Sequence, residues 1–378
     1  MAADLEMLPV WYGGGSFTLV RNMKASQFVA SQPRCFRTKL SSPMILSLMM
    51  KELFRCMRQN VVPKLPPLTA RIWGLSPRSI DLLLDFKRNG MNIEVPEWND
   101  EYAELTKRQT GARCLTRLKE TFPVELDVKA PEFFSNIEEL QAYVAKNRPP
   151  YVMKLPLSSS GRGLYWLDGN TIDARATSWI SGALKRQSAI SIESALDKAL
   201  DFAAEFYSDG KGNVNYEGLS IFETQDKGQF AGCILNTQAA LLQQLNKYIS
   251  PEDYMFLVKQ VINVLQEIIG SKYEGYLGVD MLIYKDNDGN YAVHPFVELN
   301  LRYTMGYVAM KISRQFVHPS SRGILRINYH VYDAEKEHRR MTEASPLVLE
   351  GDLIRSGYIS LCPVTNETHY LATVEVFE

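Results

Sequence analysis

Hydrophobic positions dominate two neighbouring runs, residues 278–284 (GVDMLIY) and 291–300 (YAVHPFVELN), both rich in β-forming side chains. Between them lies KDNDGN, whose Asp288-Gly289 pair is the strongest turn dipeptide in the chain, so the stretch predicts a hairpin. Glu298 and Asn300 are two apart and share a strand face, and pairing brings Asp280 beside them. Upstream, residues 151–167 (YVMKLPLSSSGRGLYWL) predict a short strand carrying Lys154, a loop Ser158-Ser159-Ser160-Gly161-Arg162-Gly163, and a second strand.

The remaining pattern is mixed α and β. Residues 2–15 read as a helix end running into a Gly13-Gly14-Gly15 turn, followed by a strand. A helix is expected within 43–60, ended by Pro63, Pro66 and Pro67. Residues 70–98 predict strand, helix and strand, with Ser76 as cap, Pro77 at the first helical position and Gly90 as stop. Residues 99–122 form a charged helical stretch; 135–147 a helix with Ser135 as cap and Glu138 completing a capping box. Residues 188–206 read as a strand turning into an amphipathic helix, and 217–236 as a hairpin about Asp226-Lys227-Gly228. A helix over 252–270, stopped by Gly270, is expected to back the 278–300 hairpin, and 319–378 end in two β-like runs completing an outer sheet.

At 378 residues the chain exceeds one comfortable core, so two or three domains are expected. Lys+Arg 42 against Asp+Glu 43 gives net charge −1, without long runs of one sign, so no nucleic acid and no membrane surface is expected as partner. No apolar segment reaches membrane-span length and the start lacks signal-peptide order. Cysteines 35, 56, 114, 233 and 362 are odd in number and scattered, which predicts reduced thiols and a cytoplasmic setting. Two carboxylates and an amide, Asp280, Glu298 and Asn300, are hard oxygen donors suited to Mg2+ that takes further ligands from phosphates; a solvated strand edge explains the same letters. Arg302 continues the alternation and could meet a phosphate or carboxylate. Lys154 with a Ser/Gly loop could hold phosphate oxygens or be a plain hairpin, and the Walker A order is absent. His294 shares the face of Glu298, either as a substrate or proton-transfer group or as a structural hydrogen-bond partner.

Strand lysine, Ser/Gly loop, GVD strand and closing ELN strand, in this order, resemble the ATP-grasp superfamily over roughly residues 124–311. The resemblance implies an α/β and α+β architecture: a Rossmann-like pre-ATP-grasp domain at 1–123, shortened at its start, then an ATP-grasp fold with a lid subdomain at 124–190 and a metal-bearing subdomain at 191–378. It implies that Lys154 lies on the ATP phosphates, Ser158 to Gly163 form the lid over them, and Asp280, Glu298 and Asn300 hold Mg2+, with Mn2+ as a second candidate. Arg108 is the implied basic residue reaching back to the nucleotide, a solvated helix face being the alternative. Glu193 is the implied hinge acid for the ribose, although placement near a helix start explains it equally well. Many ligases of this superfamily carry an arginine two residues before the GVD-type aspartate; here Gly278 stands there, and Arg302 is the candidate for its role. The activity so implied is ATP-dependent ligation, a carboxylate being activated as an acylphosphate for an amine, thiol or similar nucleophile. The alternatives are a small-molecule kinase on the same ATP site and a nucleotide-binding protein without turnover. The expected partners are ATP, a carboxylate and its nucleophile, with a homo-oligomer left open.

Overall fold

A computed structural model describes residues 2–13, 17–20, 25–40, 42–45, 68–70, 72–88, 92–123, 126–158, 161, 163–225 and 228–378. Packing divides the chain into two units, Met1–Asn99 with Gly232–Gln238 and Met305–Glu378, and Asp100–Ala231 with Ala239–Thr304. This partition does not follow the expected boundaries at 123 and 190. The helix Arg108–Thr121 packs on the strand Tyr291–Asn300, which draws residues 100–123 into the unit that holds the ELN hairpin.

The first unit opens with two short parallel pairs. β1 (Phe17–Val20) pairs with β2 (Ser42–Ile45), and β3 (Leu68–Thr69) with β4 (Ile93–Glu94). The helix Pro77–Arg88 joins the second pair, buries Ile80, Leu83 and Phe86, and is capped by Ser76, whose Oγ accepts from Ser79 N at 3.2 Å. The expected helix over 43–60 is corrected at its start: residues 43–45 lie in β2, where backbone pairing with β1 overrides the local apolar spacing. Residues 46–60, with Gly14, Gly15, the three prolines and Gly90, lie outside the described residues.

The second unit holds two sheets. β5 (Glu132–Phe134), β6 (Tyr151–Lys154), β7 (Leu164–Leu167) and β8 (Ile190–Ser194) form an antiparallel sheet in the order β5-β8-β6-β7. Helices Ile137–Lys146 and Ala174–Gln187 contribute to its core, in which Leu140, Met153, Ile180, Ile190 and Ile192 are fully buried. The cap of the first helix is Asn136 and not Ser135: Asn136 Oδ1 accepts from Glu139 N at 2.8 Å, one residue later than the capping-box spacing expects. β9 (Asp197–Asp209) and β10 (Val214–Thr224) are antiparallel, and β10 turns through Gln225, whose N–H donates to Gln229 O at 2.8 Å, into β11 (Phe230–Leu235). β12 (Glu274–Lys285) and β13 (Tyr291–Asn300) form the expected hairpin, and the order is β13-β12-β9-β10.

The helix expected after Glu193 is absent; that stretch is β9. Its Ala, Leu and Lys residues favour a helix locally, but β10 and β12 take up its backbone groups on both edges, and Phe202 and Phe206 are fully buried. The helix Pro251–Ile268 packs on β10 and on the helix Arg108–Thr121, and it is the latter that packs on β13.

In the first unit, residues 232–235 of β11 pair with β14 (Arg322–Tyr329). β15 (Val348–Glu350), β16 (Leu353–Ser360) and β17 (Tyr370–Phe377) extend that sheet in the order β14-β17-β16-β15, so the carboxy-terminal runs do complete a sheet. Trp11, Phe36 and Phe316 pack edge to face beneath it, and Trp11 Nε1 donates to Leu361 O at 2.7 Å. Among the described residues no helix is long and apolar enough to cross a membrane.

Candidate active site in the second unit

Strand register decides which side chains meet. Asp280 stands directly opposite Glu298 across β12 and β13, and Gly278 opposite Asn300. Asn300 Nδ2 donates to Asp280 Oδ2 at 3.0 Å, and Arg302 Nη2 donates to Asn300 Oδ1 at 2.7 Å. The structure therefore brings Asp280, Glu298, Asn300 and Arg302 together. No cluster of three His, Cys, Asp or Glu side chains disposed to hold a metal occurs among the described residues, since this group has two carboxylates and an amide.

On the neighbouring sheet, Lys154 ends β6 with its side chain 9% exposed and forms an ion pair with Glu193 of β8, itself 11% exposed. The register sets Lys154 opposite Ser191, so Glu193 reaches it diagonally from the next same-face position. Glu193 thus meets the strand lysine and does not begin a helix. Arg108, at the first position of the helix Arg108–Thr121, donates through Nε to Leu155 O at 2.9 Å and through Nη2 to Ser158 Oγ and Glu298 Oε2, both at 3.2 Å. It is 10% exposed and not on a solvated face. A cleft is lined by Arg108, Lys154, Ser158, Glu193 and Glu298. Of the Ser158 to Gly163 loop, Gly161 has φ +71°, and a Cβ there would stand 2.7 Å from Gly228 O. Ser159, Ser160 and Arg162 lie outside the described residues.

The charges in this unit are unevenly balanced. Burial lowers Lys154 to about 7, Arg108 adds to that, and the Glu298 and Asp280 carboxylates oppose it. Burial and the Glu298 and Glu205 carboxylates hold Asp280 above the usual carboxylate range. An excess of close, buried carboxyl groups is what a divalent cation relieves, and the donor set fits Mg2+ with the remaining ligands supplied by phosphate. His294 is 5% exposed, accepts from Phe296 N at 3.3 Å through Nδ1, and is lowered to about 3 by burial and then by Lys154. Buried and neutral, His294 serves here as the acceptor of that backbone hydrogen bond.

Glu205 of β9 was not visible in the sequence as a site residue, since its stretch reads as helical. It is 1% exposed, accepts from Ser220 Oγ at 3.0 Å and from Thr304 Oγ1 at 2.7 Å, and is raised by burial to about 7. The register places it opposite Gly278. A Cβ on Gly278 would stand 2.6 Å from Thr304 Cγ2 and 2.8 Å from Glu205 Oε2, so the position that carries arginine in many ligases is here filled from the adjacent strand and the following turn.

No protein-family model and no curated protein matches the chain. Solved structures do. The biotin carboxylase of Campylobacter jejuni, as a β-γ-ATP complex, superposes with TM-score 0.56 at 12% identity, covering 99% of this chain and 85% of that one. The biotin carboxylase domain of the Hydrogenobacter thermophilus 2-oxoglutarate carboxylase, with MgADP, ADP and bicarbonate, gives 0.53 at 12% identity, covering 95% and 80%. The N5-carboxyaminoimidazole synthetase of Staphylococcus aureus, complexed with ADP, gives 0.50 at 11%, covering 96% and 86%. These are ATP-grasp enzymes, and with a lysine-bearing four-stranded sheet and an antiparallel sheet ending in ELN, this chain has the ATP-grasp fold.

Proposed function

We propose that the protein is an ATP- and Mg2+-dependent ligase that activates a carboxylate as an acylphosphate for attack by an amine or similar nucleophile. The observation that carries this reading is the convergence of Lys154, Arg108 and the Ser158 hydroxyl with Glu298 around one cleft, with Asp280 and Asn300 beside Glu298. Lys154 and Arg108 bind and orient the phosphates, exchanging Glu193 and Glu298 for phosphate oxygens. Glu298, Asp280 and the Asn300 carboxamide would hold Mg2+, which would supply positive charge against the phosphate oxygens. Arg302, anchored on Asn300, directs the carboxylate oxygen toward the γ-phosphorus. The carboxylate oxygen bonds to that phosphorus as the bond to ADP breaks, and the amine then displaces phosphate from the acyl carbon. Such chemistry rests on positioning and charge and needs no activated serine or cysteine.

The similar solved structures hold ADP, its magnesium salt and bicarbonate, which accords with ATP as co-substrate and a small carboxylate as acceptor. The test supplies Mg-ATP, a pool of 18O-labelled carboxylates and a pool of amines. Release of ADP that needs both pools, with 18O in the phosphate, is expected. Phosphate retained in a product identifies a kinase, and ADP release indifferent to both pools overturns the reading.

A further inference from the structure

The face that carries Asp280 continues along the same strands into a wall of tyrosines. Tyr276, Gly278 and Asp280 alternate on β12, while β9 sets Tyr207 opposite Tyr276, Glu205 opposite Gly278 and Ala203 opposite Asp280. The Tyr207 and Tyr276 ring centroids are 4.9 Å apart, and those of Tyr276 and Tyr303 5.0 Å, all tilted. Tyr207 and Tyr276 are half-buried, whereas Tyr303 is 7% exposed. Two hydrogen bonds fix the wall and the turn beside it. Thr304 is fixed by the buried Glu205 carboxyl at 2.7 Å, and the Tyr273 hydroxyl donates to Tyr276 O at 2.6 Å. Arg302 precedes Tyr303 and donates to its carbonyl at 3.3 Å, so a guanidinium stands where the rings meet the acid cluster. Its charge favours a carboxylate and disfavours an ammonium at that spot. The partly exposed rings of Tyr207 and Tyr276 leave aromatic surface for a planar apolar body.

We infer that the tyrosines 207, 276 and 303 form the acceptor subsite beside the metal ligands, and that the substrate is a carboxylic acid bearing an aromatic ring, its carboxylate on Arg302 and its ring against Tyr276. This inference rests on the ligase reading above. Aromatic pairing contributes beyond area burial, so a flat ring gains over a saturated ring of the same reach by about threefold to tenfold in affinity. Calorimetric titration of the Mg-ADP-loaded protein with 3-phenylpropionate and 3-cyclohexylpropionate tests it. The phenyl acid is expected to bind more tightly by that factor, Tyr276→Leu to abolish the preference, and Tyr276→Phe to keep it. Melting curves check each variant, and Tyr207→Leu repeats the measurement from the neighbouring ring. Equal affinities in the wild type, an unchanged preference in both leucine variants, or binding of neither acid to the Mg-ADP-loaded protein overturns the subsite. Failure of Mg-ADP itself to bind removes the nucleotide reading and this inference with it.

Discussion

At the scale of single residues, the pairing of Lys154 changes what its removal should do. A strand lysine facing an empty cleft could be replaced by methionine at little cost, but Lys154 is the partner of Glu193, and both side chains are about nine-tenths buried. Lys154→Met leaves a buried carboxylate unpaired and is expected to lower stability by about 3–5 kcal/mol, with Glu193→Gln restoring most of the loss. In the double variant, ATP affinity is expected to stay about 1.5–3 kcal/mol weaker than wild type, measured with a fluorescent ATP analogue at one salt concentration. Affinity equal to wild type would make Lys154 purely structural. Glu205 gives a pH signature. Its folded pKa, about 7, lies above the ordinary 4.5, so the folded state holds more protons between those values and this contribution to stability falls as pH rises through that window. Glu205→Gln keeps the shape without the ionisation. It is expected to flatten the decline, by up to about 1.4 kcal/mol per pH unit, in melts from pH 4.5 to 8.

At the scale of elements, β9 carries the lesson. Residues 197–206 have good helix formers at helical spacing, yet the strand is enclosed on both edges, and only partners far along the chain supply that enclosure. The hairpin 274–300 is the opposite case, since its turn chemistry and alternation are local, and Asp280 meets Glu298 as the sequence implies. Between these strands Gly278 has no room for a side chain. Gly278→Ala is expected to destabilise by about 1–3 kcal/mol and to misplace Asn300, raising the Mg2+ concentration needed for nucleotide binding. A melt and a magnesium titration indistinguishable from wild type would show that the strands yield freely. The loop between β6 and β7 is expected to close on phosphate through backbone N–H groups, so exchange at Ser158, Gly161 and Gly163 slows with Mg-ATP. Equal protection with and without nucleotide would count against a lid.

At the scale of the whole molecule, the described residues of the proposed nucleotide site, from 108 to 302, lie in the second unit. Ligand that binds only the folded state stabilises it by mass action, about 2.7 kcal/mol at a hundredfold excess over Kd. Mg-ATP is therefore expected to raise Tm progressively with concentration, and chelation to reverse most of the rise. A Tm insensitive to both would remove the metal-nucleotide assignment.

The sequence by itself determined the local features: the ELN hairpin, the strand that carries Lys154, and the helix Pro77–Arg88 with its Ser76 cap, because turn chemistry, two-residue alternation and caps act over a few residues. Those features sufficed to indicate the ATP-grasp fold. The tertiary structure decided the rest. Arg108 reaches Glu298 across 190 positions, Glu193 turns to Lys154, β9 becomes a strand, and Glu205 with Thr304 fills the space at Gly278. Each depends on which strands lie side by side, and pairing between distant segments leaves no periodic trace in the sequence of either one.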